Sequence, residues 1–233
     1  MFRVLLVFLL LVSGSVFAKM DMIILTPENT VSLRDEVTAD SVADIIQKIS
    51  EIRATSNEVI YLTLESPGGS IFDGADLIRF LDTQDNIIAI NINSASMSSM
   101  IFESMNQRYT VPGSTLMFHR ASGGFQGQFG NGELESRLEY VKSMWTEVED
   151  RVSKRLGISL EDYRAKIVNE YWLYGNNILK QKAADKMVQI KCSLELMDIE
   201  EERSTVIMGI FQINYKQSAC PLLSKKEIIK GEK

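Results

Sequence analysis

Between residues 22 and 190, short apolar runs alternate with stretches in which apolar residues recur every three or four positions. A sheet and the helices that cover it produce such an alternation, so the expected fold class is layered α/β. The expected strands are 22–25, 59–64, 87–92, 108–111 and 116–119. Val42, Ile45, Ile46, Ile49 and Ile52 mark one covering helix, and Leu77, Ile78 and Leu81 mark another. A longer helix is marked by Leu134, Leu138, Val141, Trp145, Val148, Val152 and Leu156, with Gly157 closing it. Its stripe reads as packing rather than chemistry. A chain of 233 residues with 45% hydrophobic side chains can bury a sizeable core, so one domain is the expectation. Residues 193–233 change character: an acidic run at 198–202, an apolar run at 206–213 that reads as an extra strand or hairpin partner, then Lys225, Lys226, Lys230 and Lys233 in a solvated end.

At the other end, Met1-Phe2-Arg3 precedes an unbroken apolar run at 4–12 and a small-residue stretch ending at Ala18. Residues 1–18 therefore read as a cleaved secretion signal, placing the rest in a periplasm or outside the cell. An uncleaved anchor is the alternative, but the apolar run is well short of the ~20 residues that cross a bilayer, and no later segment is long and apolar enough to span. The chain left after removal carries 24 basic and 31 acidic residues. That balance, with no basic stripe, argues against nucleic acid as a partner. An oxidising compartment would allow Cys192 and Cys220 to pair, while two separate buried thiols fit the sequence equally.

Three segments at the ends of expected strands could carry chemistry. The first is Glu65-Ser66-Pro67-Gly68-Gly69; taken alone it is a turn, but paired glycines also let backbone N–H groups approach and face a developing oxyanion. The second, Asn93-Ser94-Ala95-Ser96-Met97-Ser98-Ser99, places serines at a strand-to-helix junction. There a hydroxyl is either a helix cap or a nucleophile favoured by free N–H groups. The third holds His119, the only histidine, followed by a Gly/Gln-rich stretch from Gly123 to Gln128. Imidazole is the base a serine needs near neutral pH, although a lone histidine is commonly structural. One histidine and two distant cysteines supply no metal cluster, and no phosphate- or dinucleotide-binding glycine motif is present, so neither metal nor cofactor is expected.

Taken in order, Ser66-Pro67-Gly68-Gly69, Ala95-Ser96-Met97, Leu116-Met117-Phe118-His119 and Gly123-Gly124-Phe125-Gln126-Gly127-Gln128 resemble the ClpP family of serine peptidases, within the wider ClpP/crotonase fold. The resemblance covers roughly residues 22–190, sets a peptidase domain at 19–192 with 193–233 as an extension without counterpart, and implies layered ββα repeats with a protruding handle helix at 133–156. It implies Ser96 as nucleophile, His119 as general base, and the N–H groups of Gly69 and Met97 as an oxyanion hole. Gly68, Gly124, Phe125 and Gln126 would bind the substrate backbone. Glu170, two residues before Trp172, would be the third triad member where the family usually has Asp, with Asn169 next in line. The chain departs from the family at Ile92 and Ser98, where glycines are usual, and at Arg120-Ala121, where Gln-Pro is usual.

The expected function is thus an exported serine endopeptidase acting on peptides or unfolded proteins inside a homo-oligomeric ring. Because ATP is not expected outside the cytoplasmic membrane, it would be ATP-independent or fed by a dedicated partner. A Ser/Lys-dyad peptidase would need no histidine, and an acyl-CoA hydratase of the crotonase branch would need no Ser96. The non-enzyme alternative is a catalytically inactive assembly or binding protein on the same fold.

Overall fold

The computed structural model describes residues 20–122, 130, 132–207, 211–223 and 226–228. The leader at 1–18 and the substrate-binding residues expected at Gly124, Phe125 and Gln126 lie outside the described residues. In chain order the elements are β1 (Met22–Leu25), β2 (Thr30–Leu33), α1 (Ala39–Thr55), β3 (Ile60–Ser66), α2 (Ile71–Leu81), β4 (Ile87–Ala95), α3 (Met97–Ser104) and β5 (Gln107–Phe118). There follow α4 (Glu133–Leu156), α5 (Leu160–Lys166), β6 (Tyr171–Tyr174), α6 (Asn176–Lys180), β7 (Lys186–Met187), β8 (Gln189–Cys192) and α7 (Leu194–Asp198), then β9 (Glu200–Ile207), β10 (Phe211–Ser218) and β11 (Lys226–Ile228).

The central sheet runs β2-β3-β4-β5-β6, with β7 beside the first half of β5. Strands β2 to β5 are parallel and β6 is antiparallel to β5. Strand β4 is buried on both faces: Ile87 and Ala89 join the core beneath α1, α2 and α3, while Ile88, Ile90 and Ile92 join a second core with Leu25, Val188 and Cys192. Two-sided burial explains why the sequence shows an apolar run from Ile87 to Ile90 there instead of an alternation. The two expected strands 108–111 and 116–119 are halves of β5. Between them the pairing with β4 shifts, Asn91 facing Thr110 and Asn93 facing Thr115, and Gly113 at φ 79° makes the irregularity that Pro112 begins. Strands β2, β6, β7 and β8 have no counterpart among the expected strands.

Helix starts and stops follow local chemistry. Thr38 and Ser41 form a reciprocal capping box at the start of α1, and the Ser70 side chain accepts from the Asp73 N–H at the start of α2. Gly157, at φ 71°, ends α4 in the left-handed conformation. The second half of α4 packs Val148, Val152 and Leu156 into the core, whereas Leu134, Leu138 and Tyr140 in its first half are 41%, 52% and 60% exposed. The helix therefore protrudes, as a handle would. No helix among the described residues is long and apolar enough to cross a membrane.

The extension begins with α7 and continues as the antiparallel sheet β11-β10-β9. Cys192 and Cys220 are bonded, tying the end of β8 to the residues after β10. A cross-link over 28 positions removes unfolded-state freedom worth about 3–4 kcal/mol.

Candidate active site

Ser96 sits between β4 and α3 with φ 53° and ψ −126°, a conformation that costs a residue with a Cβ about 1–3 kcal/mol. Neighbours hold it there: its N–H donates to the Met117 carbonyl at 2.9 Å, and its carbonyl accepts from the Met100 N–H at 3.2 Å. All of α3 behind it is buried. The hydroxyl makes no capping bond to the helix. It lies 2.7 Å from His119 Nε2 instead. Parallel pairing produces this meeting, because Ala95 is in register with Met117, so Ser96 and His119 both emerge from the C-terminal ends of adjacent strands.

The turn after β3 forms the opposite wall. Gly68 takes φ 95°, and a Cβ there would stand 2.6 Å from the Ala95 carbonyl oxygen and 2.8 Å from the Met97 nitrogen. Gly69, at φ 149°, is pressed equally closely against Val37, where a Cβ would lie 2.5 Å from the carbonyl oxygen. The turn is held from outside: the Val37 N–H donates to the Gly68 carbonyl and the Ser70 N–H to the Val37 carbonyl, both at 2.8 Å. From within, the Gly68 N–H donates to Ser66 Oγ, which donates to the Asp35 carbonyl. The N–H groups of Gly69 and Met97 donate to no acceptor among the described residues. They are two donors beside Ser96 with hydrogen-bonding capacity to spare.

Glu170 is not brought to His119. The pairing of β5 with β6 ends at Phe118 and Tyr171, so His119 directly follows and Glu170 directly precedes the paired stretch, and the Glu170 carboxylate accepts from Trp172 Nε1 at 2.8 Å. Glu170 itself has φ 71°, outside ordinary strand geometry. Asn169 ends the 3-10 turn Ile167–Asn169.

Ser96 and His119 open into a cleft of about 240 Å3 whose walls include Gly69, Ile71, Met97 and Trp145. Trp145 is anchored from behind, its Nε1 donating to buried Glu149, which also accepts from Arg164. A larger hollow of about 340 Å3 adjoins it across Pro67, lined by Ser66, Asn93, Thr115 and Trp172, but it holds no paired nucleophile and base. The Ser96–His119 pair lies in the smaller cleft. Among the described residues no cluster of His, Cys, Asp and Glu could hold a metal ion.

Behind α3, buried Glu103 pairs with Arg108 at the start of β5, and Arg108 reaches Asp185 at 2.8 Å. Arg155 of α4 joins through Asp185 and the Met105 carbonyl. Burial pushes the Glu103 carboxyl up to about 8, because the adjacent guanidinium only partly offsets the loss of water. Nothing in the sequence signals this network, since its members carry no motif.

The family profile described as Clp protease matches residues 15–191. One relative is the ATP-dependent Clp protease proteolytic subunit 2 of Pseudomonas aeruginosa, 28% identical over 152 residues that cover 62% of this chain and 73% of that protein. With more than half of its length matched by the profile, and with the glycine turn, the serine elbow and the strand-end histidine assembled around one cleft, the chain belongs to the Clp protease family.

Proposed function

We propose that this chain is an exported serine peptidase in which Ser96 attacks the peptide carbonyl and His119 takes its proton. The observation that carries the reading is the 2.7 Å contact between Ser96 Oγ and His119 Nε2, set beside the open N–H groups of Gly69 and Met97. When Nε2 accepts the hydroxyl proton, the carbonyl oxygen gains negative charge, and those two N–H groups stabilise it. The imidazolium then protonates the leaving amine, and water repeats the sequence on the acyl-enzyme. Glu170 completes the triad by releasing Trp172 and turning to His119 Nδ1, which carries the hydrogen while Nε2 acts as base. Its place directly before Tyr171, the partner of Phe118, supports this.

Export is supported by the apolar leader and by the Cys192–Cys220 bond, which persists in an oxidising compartment. Ring assembly is supported by apolar surface on the protruding half of α4, where Tyr140 stacks on Phe72 with ring centroids 6.2 Å apart. The substrates are peptides or already unfolded proteins, entering without ATP or handed over by a partner. The test is fluorophosphonate labelling of the protein lacking its leader, with Ser96→Ala and His119→Ala alongside. Labelling of the wild type alone is expected. Label retained by Ser96→Ala, or none on the wild type, would sink the peptidase reading in favour of an inactive assembly protein.

A further inference from the structure

The segment Arg34-Asp35-Glu36-Val37 stands between the oxyanion turn and the C-terminal extension, and it is bonded to both. On its inner side, the Asp35 carbonyl accepts from Ser66 Oγ at 2.5 Å, Ser66 Oγ accepts from the Gly68 N–H, and Val37 forms the two backbone bonds that hold Gly68 and Ser70. On its outer side, the Asp35 carboxylate accepts from the Tyr215 hydroxyl at 2.6 Å and from Arg203 at 3.4 Å. Arg34, 6% exposed, donates to the Ser218 carbonyl at 2.7 Å and the Leu223 carbonyl at 3.1 Å, while its Nε pairs with Glu65 at the end of β3. Tyr215 is 2% exposed, and burial, with donation to Asp35, pushes its phenol above the ordinary value. The disulfide pins the same stretch through Cys220, two residues from Ser218.

We infer that the extension is a brace for the oxyanion turn, with Tyr215, Asp35 and Arg34 as positioning residues and the Cys192–Cys220 bond as the staple that holds the brace in place. The inference rests on the reading of Gly69 and Met97 as oxyanion donors. Its geometry is independent of that reading: among the described residues, Arg34 and Asp35 hydrogen-bond the extension, and Gly69 cannot retreat because Val37 is already against it. A strand hairpin far along the sequence is thereby made part of the support for a hydrogen bond formed only when charge develops on the substrate. Displaced donors cost rate without weakening ground-state binding in proportion.

The experiment uses the full chain without its leader and four variants: Asp35→Ala, Asp35→Asn, Tyr215→Phe and the pair Cys192→Ser/Cys220→Ser. Hydrolysis of a fluorogenic peptide gives kcat and KM per fluorophosphonate-labelled site, and hydrogen exchange is followed over residues 64–72. Asp35→Ala and Tyr215→Phe are expected to lower kcat about tenfold with KM within twofold, less than the ~10²–10³ lost when an oxyanion donor is removed outright. Asp35→Asn, which keeps an acceptor for Tyr215, should recover most of that rate. Exchange at Gly68 should quicken in the low-rate variants and in the cysteine pair, and stay slow in Lys216→Ala, a change on the same hairpin outside the brace. Unchanged exchange over 64–72, while residues 211–223 exchange freely, overturns the brace. That readout decides the matter even if the wild type takes no fluorophosphonate, an outcome that counts against the serine peptidase reading instead.

Discussion

Gly68→Ala adds one methyl group at the closest approach between the two loops of the site. The new Cβ would lie 2.6 Å from the Ala95 carbonyl oxygen, 2.6 Å from Ser96 Cβ and 2.8 Å from the Met97 nitrogen, where ordinary contact begins at 3.4 Å. The loops must part by at least the 0.8 Å difference between 2.6 and 3.4 Å. The Ser96 side has little room to yield, since Ser96 is already at φ 53° and tied to Met117. The other side is blocked by Val37. Holding alanine at φ 95° adds about 1–3 kcal/mol of backbone strain. A protein of this size loses about 2–4 °C of Tm per kcal/mol, so a drop of several degrees is expected. Parting the loops also pulls the Gly69 and Met97 N–H groups off a common oxyanion position. Loss of one such donor costs about 10²–10³ in kcat, or about 3–4 kcal/mol. The assay is peptide hydrolysis, with kcat normalised to sites that take fluorophosphonate so that unfolded molecules do not count, and a thermal melt in parallel. A Gly68→Ala protein with kcat within twofold of wild type and an unchanged Tm would show that the close approach of the two loops at Gly68 does not hold the site.

Three further outcomes are expected. Glu170→Gln should lower kcat at least about tenfold by leaving the imidazolium without its carboxylate, and Trp172→Phe, which frees Glu170, should hold kcat at or above wild type; full activity in Glu170→Gln removes it from the mechanism. Glu103 keeps its proton in the native state up to about pH 8 but loses it near 4.5 when unfolded, so the native state binds the extra proton between those values. Its contribution to stability is therefore greatest below pH 4.5 and declines as pH rises toward 8, by about 1.4 kcal/mol per pH unit. Glu103→Gln should flatten that slope in urea titrations, and an identical slope in the variant would place the proton elsewhere. Leu138→Glu should shift the sedimentation of the assembled protein to smaller species, whereas a wild type that sediments as a stable monomer contradicts the ring.

Local patterns carried much of the fold because burial repeats at short range. The two-faced burial of β4 left an apolar run, the stripe on α4 left a period, and Gly157 supplied the left-handed stop. Strand β6 leaves no mark in the sequence because it is four residues long and only Leu173 of it is buried, so no period develops. Strand β2 did carry an alternation, with Val31 and Leu33 inward, but over four residues it is too short to stand out.

In the site, the sequence by itself determined the materials: a serine at a strand-to-helix junction, a histidine closing a strand, and paired glycines in a turn, in an order that resembles one family. Tertiary structure decided which of them meet. The register of β4 against β5 sets Ser96 Oγ 2.7 Å from His119 and withdraws it from the helix cap it could otherwise have made. The pairing of β5 with β6 stops at Phe118 and Tyr171, just short of His119 and Glu170, and the Glu170 carboxylate is held by Trp172. The bond between Cys192 and Cys220 and the reach of Tyr215 to Asp35, 180 positions away, depend on how separate layers dock. The physical reason is one of range. Hydrophobic period, capping and glycine torsions are settled within about a turn or a strand of chain, whereas hydrogen-bond partners are chosen among groups that only the packed core brings within 3 Å.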